Sequence, residues 1–505
     1  MRKTDKMKSN GNGRNKGNDR AAGRKVKRAA ASLGLCATLG LSALCGCSEG
    51  TGQSGADART DADALADAVK LSGSPAPGQG GALSGGASAQ GTPAPGGNSA
   101  QDGSQGDVAS TQGGSQAGAA SALGGSRSQD NATPADASTV TDFALRLFQE
   151  SLAQEQAKDA GKNVLVSPTS VLFALSMTAN GAKGETLTQM EDVLGASVSG
   201  LNTYLHEYRT SLPDNDGYRL SLANSVWFRD DERFTVNADF LDLNEKWYDA
   251  DIYRAPFDSS TVKAVNQWVS QATDNMIPEI LEKIPQDAVM YLINGLAFDA
   301  EWDTIYKQHD VRKADFTEEG GSSYRTEMMY STEGLYLQDE QAQGFLKYYK
   351  DGKYAFAALL PNEGISLADY AASLDGKALH EMLSSPVQAS VAAAIPKFET
   401  AYDVEMNGIF TAMGMTDAFD FSTADLSGIG SSTAGNLFIN RILHKTYIAV
   451  DERGTRAGAV TSVEINDECA PLLEHEVYLN RPFIYMIVDC KENVPVFIGA
   501  VKCVK

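Results

Sequence analysis

Cys469 and His475 are the two side chains whose types and spacing could support nucleophilic catalysis. A cysteine nucleophile needs a base within hydrogen-bond reach and a third group that orients the base. The two residues share a polar segment that Pro471 interrupts, and the neighbouring sequence contains no pattern for a scaffold that would hold them. We therefore expect no cysteine-type active site in this segment.

Other signatures of catalysis and metal binding are missing from the sequence. It contains no Gly-x-Ser-x-Gly elbow, no His-Glu-x-x-His, no paired Cys-x-x-Cys and no phosphate-binding loop. Five histidines in 505 residues give a low density of candidate zinc ligands. We expect a protein that is not an enzyme, with no catalytic residue, no metal and no cofactor.

The charge distribution restricts the classes of partner. The net charge is -22, although residues 1–28 are strongly basic, so the remaining chain is more acidic than the total suggests. Binding to phosphates requires a basic surface, and adhesion to anionic lipid requires a polybasic segment. We expect no nucleic-acid partner and no adhesion of the acidic part to a membrane surface.

The first 46 residues have the organisation of a signal peptide. The basic head precedes an apolar run, 29–44, which is short and rich in small residues, as in a secretory segment. Leu44-Cys45-Gly46-Cys47 resembles the lipobox of bacterial lipoproteins, which implies that Cys47 is lipidated after cleavage and anchors the protein outside the cell. A plain signal peptide cleaved nearby is the alternative, and it also places the protein outside the cytoplasm.

Residues 47–137 consist mainly of Gly, Ser, Ala, Gln, Pro and Asp, with almost no aromatic residue. This composition buries too little apolar surface to offset the entropy of ordering. We expect a disordered tether with a root-mean-square reach of roughly 50–60 Å, which holds the domain formed by residues 138–505 away from the membrane.

The domain at 138–505 mixes helical and strand patterns. Apolar residues from Val140 to Leu152 form one face of a helix, and Ser167-Pro168 is typical of a helix start. Strand patterns alternate irregularly with helical ones, which predicts an α+β fold rather than regular βαβ units. The strand-like ranges are 220–228, 289–298, 354–360, 387–398, 447–450, 483–488 and 496–501.

The stretch after Gly454 has a period of two that ends in a polar loop. Its alternate positions are small or β-branched, as on the buried face of a strand; they are Thr455, Ala457, Ala459, Thr461 and Val463. The following residues, 466–471, suit no strand core. The pattern predicts two states, an exposed loop and an inserted strand, because no inward position carries a charge or a bulky aromatic side chain.

Glu452-x-Gly-Thr-x-Ala, followed by this alternation and by Asn480-Arg481-Pro482-Phe483, resembles the hinge and reactive-centre loop of a serpin. The resemblance covers the whole domain. Its other motifs begin at Asn163, Val265, Leu292, Leu359, Ile395, Met413 and Ala424, in the order of the family. It implies the serpin fold, with a large central mixed β-sheet, two smaller sheets, about eight or nine helices and an exposed reactive-centre loop.

The resemblance also assigns roles to single residues. The hinge residues are Glu452, Gly454, Thr455, Ala457, Ala459 and Thr461. The residues where the sheet opens, or near where the loop enters it, are Asn163, Ser167, Ser170, Asn294, Trp302 and His444. A buried polar cluster that can be satisfied in two arrangements suits an element with two states.

The function implied is suicide inhibition of a serine protease, which cleaves the loop and is trapped when the loop enters the sheet. The family's spacing from Glu452 places the scissile bond between Glu468 and Cys469. The acidic neighbours favour a glutamyl endopeptidase. Cleavage after Cys469 or Leu472 stays open, and Ile465 would suit an elastase-like enzyme.

Two other functions remain open. A non-inhibitory serpin could act as a carrier, chaperone or surface-interaction module, because Arg456, Gly458 and Val460 depart from the usual alanine-rich hinge. A structural surface lipoprotein without a protease partner is the third possibility. For the domain itself we expect a monomer that needs no disulfide between Cys490 and Cys503, since a turn near Glu492 would put them out of register.

Overall fold

The computed structural model describes residues 35–42, 68–72, 134–212, 218–273, 275–455 and 473–504. Within these ranges the chain forms nine α-helices and nineteen strands. The helices are α1 (Ala137–Lys158), α2 (Pro168–Ala179), α3 (Gly184–Leu194), α4 (Val198–Thr210), α5 (Ala238–Tyr248), α6 (Ser259–Ala272), α7 (Leu367–Ser373), α8 (Gly376–Ser384) and α9 (Asn407–Met413). The described helices include none that is both long and apolar enough to span a membrane.

The strands are β1 (Leu35–Ser42), β2 (Val69–Ser72), β3 (Val164–Val166), β4 (Tyr218–Arg229), β5 (Phe234–Val236), β6 (Asp251–Ala255), β7 (Met290–Glu301), β8 (Val311–Thr317), β9 (Ser323–Gln338), β10 (Ala342–Tyr348), β11 (Tyr354–Pro361), β12 (Val387–Pro396), β13 (Phe398–Glu405), β14 (Gly430–Ser432), β15 (Arg441–Val450), β16 (Gly454–Thr455), β17 (His475–Tyr478), β18 (Phe483–Asp489) and β19 (Val494–Val501). Every strand-like range of the sequence falls on one or two of these strands.

The central sheet runs in the order β13, β15, β7, β4, β6, β2, and two further strands lie between β15 and β7. These two strands, β16 and β1, follow each other end to end, and both run antiparallel to β15 and to β7. The middle of the sheet is therefore where the chain after β15 turns back into the sheet.

The strands of the second sheet are hydrogen-bonded in the order β17, β12, β9, β10, β11, β18, β19, β3, and β8 also pairs with β9. In a third sheet, β5 pairs with β14. The predicted α+β class is confirmed, as are the large central mixed sheet, the three sheets and the number of helices. The second sheet is larger than expected, because the 16-residue strand β9 joins β8, β10 and β12 in one sheet.

Helix starts follow the local sequence. Asp136 caps α1 by accepting a hydrogen bond from the Thr139 amide (2.8 Å), and Ser167 caps α2, which begins with Pro168. The buried faces of α1 and α2 join the apolar residues of both large sheets in the main core. A second apolar cluster, which includes Trp227, Trp268 and Tyr291, fills the space between α6 and the other face of the central sheet.

β1 and β2 lie in the ranges for which the composition predicts a signal peptide and a tether. They show that short segments of these ranges pair with the central sheet. The composition argument considers buried apolar area, whereas strand addition also gains backbone hydrogen bonds, which almost any sequence can make.

Cys490 and Cys503 are free thiols. The turn between β18 and β19 includes Cys490, while Cys503 follows β19 at the opposite end of this hairpin. Burial, together with the charge of Asp489, raises the pKa of Cys490 to about 12, so its thiol stays protonated and unreactive at neutral pH.

Candidate functional site

The chain reverses direction just after Val450, at the C-terminal end of β15, and re-enters the central sheet. The carboxylate of Asp451 accepts hydrogen bonds from the amides of Arg453 (2.8 Å) and Gly454 (3.3 Å), which closes a tight turn. Thr455 then pairs with Val450 of β15 and with Ala300 of β7. The first residues of the stretch with period two are therefore already a strand between β15 and β7.

Gly454 is required by the close approach of β16 to β7. A Cβ atom at this position would lie 2.0 Å from the carbonyl oxygen of Ala300 and 2.8 Å from the Cα atom of Glu301. Both contacts are with backbone, which cannot move aside without breaking the pairing. Glycine is the residue that lets the returning chain pair here.

Thr455 points into the core, as its place in the alternation predicts. It is fully buried, and its hydroxyl lies 2.6 Å from the hydroxyl of Tyr349. The Tyr349 ring stacks on the Trp302 indole with the ring centroids 4.5 Å apart. Burial raises the pKa of Tyr349 far above its ordinary value, so the phenol stays neutral and can donate a hydrogen bond.

Trp302 follows β7 and fixes the turn from the other side. Its amide donates to the carbonyl oxygen of Arg453 (2.7 Å), and its indole Nε1 donates to the carbonyl oxygen of Asp451 (2.9 Å). Trp302, which the resemblance places near where the loop enters the sheet, therefore contacts the turn that precedes β16.

Glu452 is held in the turn by Lys397, whose ammonium contacts the carboxylates of Glu452 and Glu327, the latter at 3.1 Å. Partial burial alone would raise the pKa of Glu452 and lower that of Lys397. The hydrogen bonds and opposite charges outweigh it and shift both values the other way, lowering the pKa of Glu452 and raising that of Lys397. Both groups are charged at neutral pH, and the turn is tied to the segment after β12.

A second group of polar residues lies around the middle of β15, beside the start of α2. The Ser167 amide donates to Nε2 of His444 (3.0 Å), and the Ser167 hydroxyl donates to the carbonyl oxygen of Val496 (3.0 Å). The same hydroxyl oxygen accepts a hydrogen bond from the Ser170 amide (3.3 Å). Ser167, Ser170 and His444 are fully buried and form one cluster.

Asn294 lies on β7, across β1 from His444 of β15. Its Nδ2 donates to Oδ1 of Asn224 (2.8 Å), and Asn224 donates in turn to the carbonyl oxygen of Tyr248 (2.8 Å). Oδ1 of Asn294 and the Ser170 hydroxyl are buried and have no hydrogen-bond partner among the described residues. Such spare capacity in a buried network is costly unless another state satisfies it.

The structure does not bring Asn163 into this cluster. Its Nδ2 donates to the carbonyl oxygen of Cys503 (2.7 Å), and its Oδ1 accepts from the amides of Lys502 and Cys503. Asn163 immediately precedes β3, four residues before Ser167, and it fastens the end of the chain instead.

β1 shows the register of a strand placed between β15 and β7. Thr455 of β16 is opposite Ala300, and Leu35 of β1 is opposite Phe298, two residues further along β7. Counting on from Thr455 on β7 and on β15 gives the same result: residues 457–464 would occupy the backbone positions that 35–42 occupy here. In this register Thr461 takes the position of Leu39, opposite both His444 and Asn294.

The other predicted site residues lie outside the described residues. These are the hinge positions Ala457, Ala459 and Thr461, the scissile pair Glu468 and Cys469, and the anchor Cys47.

A comparison with protein-family models now decides the family. The model described as "Serpin (serine protease inhibitor)" matches residues 138–504, which is most of the chain. The chain belongs to the serpin family. A family of serine protease inhibitors makes a serine protease the expected class of partner and an enzymatic activity of this chain unexpected.

Individual serpins resemble this one over nearly their whole length. Human Serpin B11 is 29% identical, with 71% of this chain and 96% of that protein covered. Iris from Ixodes ricinus is 28% identical, with 72% and 97% covered. The crystal structure of the thermophilic serpin tengpin in the native state is 44% identical, with a TM-score of 0.68 and with 73% of this chain and 94% of that chain covered.

Three residues of this serpin's site were not predicted from the sequence, namely Tyr349, Lys397 and Asn224. Lys397 lies in one of the family-like motifs, Ile395-Pro396-Lys397-Phe398, and Glu452 was singled out as the hinge glutamate. The cation of Lys397 and the anion of Glu452 were each visible in the sequence, but nothing in the sequence pairs residues that are 55 positions apart.

Proposed function

We propose that this serpin is an extracellular suicide inhibitor of serine proteases. A protease attacks the reactive loop and forms an acyl-enzyme. Once removal of the signal peptide has taken β1 away, the freed segment after Thr455 enters between β15 and β7 and carries the bound enzyme with it. The inhibitor is consumed in the reaction.

The observation that carries this proposal is the position of β16. Gly454 and Thr455 are already paired with both β15 and β7, and Thr455 already faces the core. Further insertion extends an existing pairing and needs no new nucleus, so the register of every following residue is fixed by Thr455.

The residues that would follow fit this register. Ala457, Ala459, Thr461 and Val463 continue the face of Thr455, so no charge is buried and little volume is added. Arg456 falls on the opposite face, beside Asp299 of β7. The Thr461 hydroxyl reaches the level of Asn294, where the unpartnered Oδ1 needs a donor. Insertion would thereby satisfy a group that is left without a partner here.

The scissile bond that we propose joins Glu468 and Cys469, with cleavage after Cys469 or Leu472 as the other positions. Asp467, Glu474 and Glu476 surround this bond with negative charge. A protease with a basic specificity pocket, such as a glutamyl endopeptidase, matches Glu468, and an elastase-like enzyme matches Ile465. The proposed location is the outer surface of a bacterial cell, with Cys47 as the lipid anchor.

The test uses the chain from residue 47 onward, incubated with a glutamyl endopeptidase and with an elastase-like protease. An inhibitor gives a covalent complex that resists denaturant, and mass spectrometry of the loop fragment identifies the bond. A cleaved loop without any complex for every protease tested would contradict the inhibitory function. It would favour a carrier, a chaperone or a surface module.

Two neighbouring variants separate insertion from simple cleavage. Thr455→Arg places a charge on the buried face and should turn the inhibitor into a substrate. Arg456→Thr removes a charge from the opposite face and should still form the complex. Equal complex formation by both variants would refute insertion in this register.

A further inference from the structure

The outer edge of the central sheet carries a short strand from the N-terminal part of the chain. β2 pairs antiparallel with β6, with Val69 opposite Arg254 and Lys70 opposite Tyr253. β6 pairs with β4 on its other side. Without β2, the backbone groups on the outer side of β6 would form an open edge that accepts an added strand.

Ala68 packs against the second apolar cluster, but the larger apolar side chains of this segment are not buried. Val69 and Leu71 point to solvent and are 59% and 53% exposed. Lys70 points to the opposite face and stays 31% exposed, while its ammonium lies 2.6 Å from a carboxylate oxygen of Asp251 and 5.9 Å from the centre of the Tyr253 ring. Alanine recurs throughout the N-terminal part, so the lysine contact is the one that distinguishes this segment.

The carboxylate of Asp251 is oriented so that one of its oxygens can bind a cation. The residue is largely buried, and its Oδ2 accepts hydrogen bonds from the Trp268 indole of α6 (3.1 Å) and from the Tyr253 hydroxyl (3.2 Å). Its other oxygen, Oδ1, is the one that contacts Lys70. Two neutral donors orient this carboxylate, and a nearby cation offsets the cost of its burial.

We propose that the outer edge of β6, with Asp251 at its centre, is a binding site for an extended segment with a lysine at its middle position. Its occupant is the chain's own segment 68–72. Lys70 is the only lysine between residues 28 and 157, so the site selects one register of the long N-terminal part. A glycine- and serine-rich segment without a lysine would gain only the backbone hydrogen bonds.

This binding changes how the folded domain is displayed, a consequence that rests on the proposed lipid anchor at Cys47. With 68–72 bound, about 20 residues connect Cys47 to the fold, which gives a root-mean-square reach of roughly 25 Å. Without it, about 90 residues do so, with a reach of roughly 50–60 Å. The site shortens the tether by about half and leaves the intervening residues as a loop that is closed at both ends.

The test measures the acetylation rate of Lys70 in the intact chain from residue 47. Lys377, whose side chain is 78% exposed, serves as the internal reference. A bound Lys70 should react about tenfold more slowly than Lys377, because its ammonium is paired with Asp251 and is partly shielded. Asp251→Asn keeps an oxygen acceptor for Trp268 and Tyr253 and removes the charge, so it should bring Lys70 to within about twofold of Lys377.

Asp230→Asn is the matched control. Asp230 pairs at 2.8 Å with Arg254 of β6, the strand that also contains Asp251, and both side chains of this pair are about half exposed. This variant should leave the Lys70 rate unchanged. Amide hydrogen exchange of residues 69–72 in Lys70→Gln gives a second readout and should become faster. A Lys70 that reacts as fast as Lys377 in the parent chain, or that is unaffected by Asp251→Asn, would overturn the proposal.

The display height is measured separately, with the lipidated chain on vesicles and energy transfer from a dye on the domain to a dye in the membrane. Asp251→Asn should reduce the transfer. If the anchor proposal fails, neither protein binds vesicles, while the Lys70 protection still reports on the site. Bound protein with protected Lys70 and equal transfer in both variants would reject the shortened tether.

Discussion

The hydroxyl groups of Tyr349 and Thr455 lie 2.6 Å apart, at the point where the chain leaves β15 and turns back into the central sheet. Both residues are fully buried, so this hydrogen bond forms away from competing water. It marks where the strand pattern of the loop first becomes a strand.

Removing one partner of that bond should lower stability. Tyr349→Phe leaves the Thr455 hydroxyl buried without its partner, and we expect the free energy of unfolding to fall by about 1–3 kcal/mol. Urea unfolding measures the change. Tyr204→Phe is the control, because the buried Tyr204 hydroxyl has no hydrogen-bond partner among the described residues; its loss should change little. Equal losses in both variants would show that the Tyr349 bond contributes nothing specific.

The ion pair between Lys397 and Glu452 should make stability depend on pH in a defined window. The pKa of Glu452 lies below its ordinary value of 4.5, so its contribution is present above that pH and disappears as the pH falls through the lowered value. The pKa of Lys397 lies above 10.5, so its contribution is present below 10.5 and is lost as the pH rises through the raised value.

Lys397→Met should therefore be less stable than the parent chain at pH 7, and the difference should shrink as the pH falls below about 4. Unfolding by denaturant at several pH values measures it. Lys377→Met serves as control, since Lys377 and its partner Glu381 are largely exposed and such pairs contribute little. A difference for Lys397→Met that is the same at pH 7 and at pH 3 would contradict the assignment.

Gly454→Ala should prevent β16 from pairing with β7, because its Cβ would lie 2.0 Å from the Ala300 carbonyl oxygen. We expect faster amide exchange at residues 454–455 and fewer covalent complexes for each loop cleaved. Gly334→Ala tests the general cost of the substitution, since a Cβ there meets no atom within 4 Å. Normal complex formation by Gly454→Ala would mean that insertion does not start from β16.

The unprocessed chain should inhibit poorly. Residues 35–42 occupy the backbone positions that 457–464 need, and two strands cannot share them. We expect the chain from residue 47 to form covalent complexes at least tenfold faster than the full-length chain, because the occupied state must first open. The amount of covalent complex in samples quenched at successive times gives the rate for each chain. Identical rates would show that β1 does not compete with the loop.

The elements whose patterns are local were predictable from the sequence. The apolar face of α1, the start of α2 at Ser167-Pro168, the strand ranges of both large sheets and the inward direction of Thr455 follow from neighbouring residues. The turn at Glu492 also agrees, with Asn493 at a positive φ between β18 and β19. For the hinge and the opening of the sheet, the family resemblance supplied what periodicity alone does not.

Contacts between distant residues were not predictable. Asn163 looked like part of the Ser167 cluster because both belong to one motif, yet β3 separates them and Asn163 binds residues 502 and 503. The strand at 68–72 was missed because its contacts are one lysine ion pair, one small alanine and backbone pairing. Neither signal stands out in a glycine-rich stretch.

The cluster under α6 touches both sides of the space that the loop would fill, with Ile293 of β7 in its core and Leu443 of β15 packed against it. β1 already lies between these two residues, with Gly40 opposite both Leu443 and Ile293, and α6 contacts Asp251 of β6 through the Trp268 indole. The captured protease meanwhile hydrolyses its acyl bond at its own pace. On the proposed mechanism the loop strand has to take this place under α6, and the rate of that step, relative to the rate of acyl hydrolysis, decides whether the protease is trapped or released.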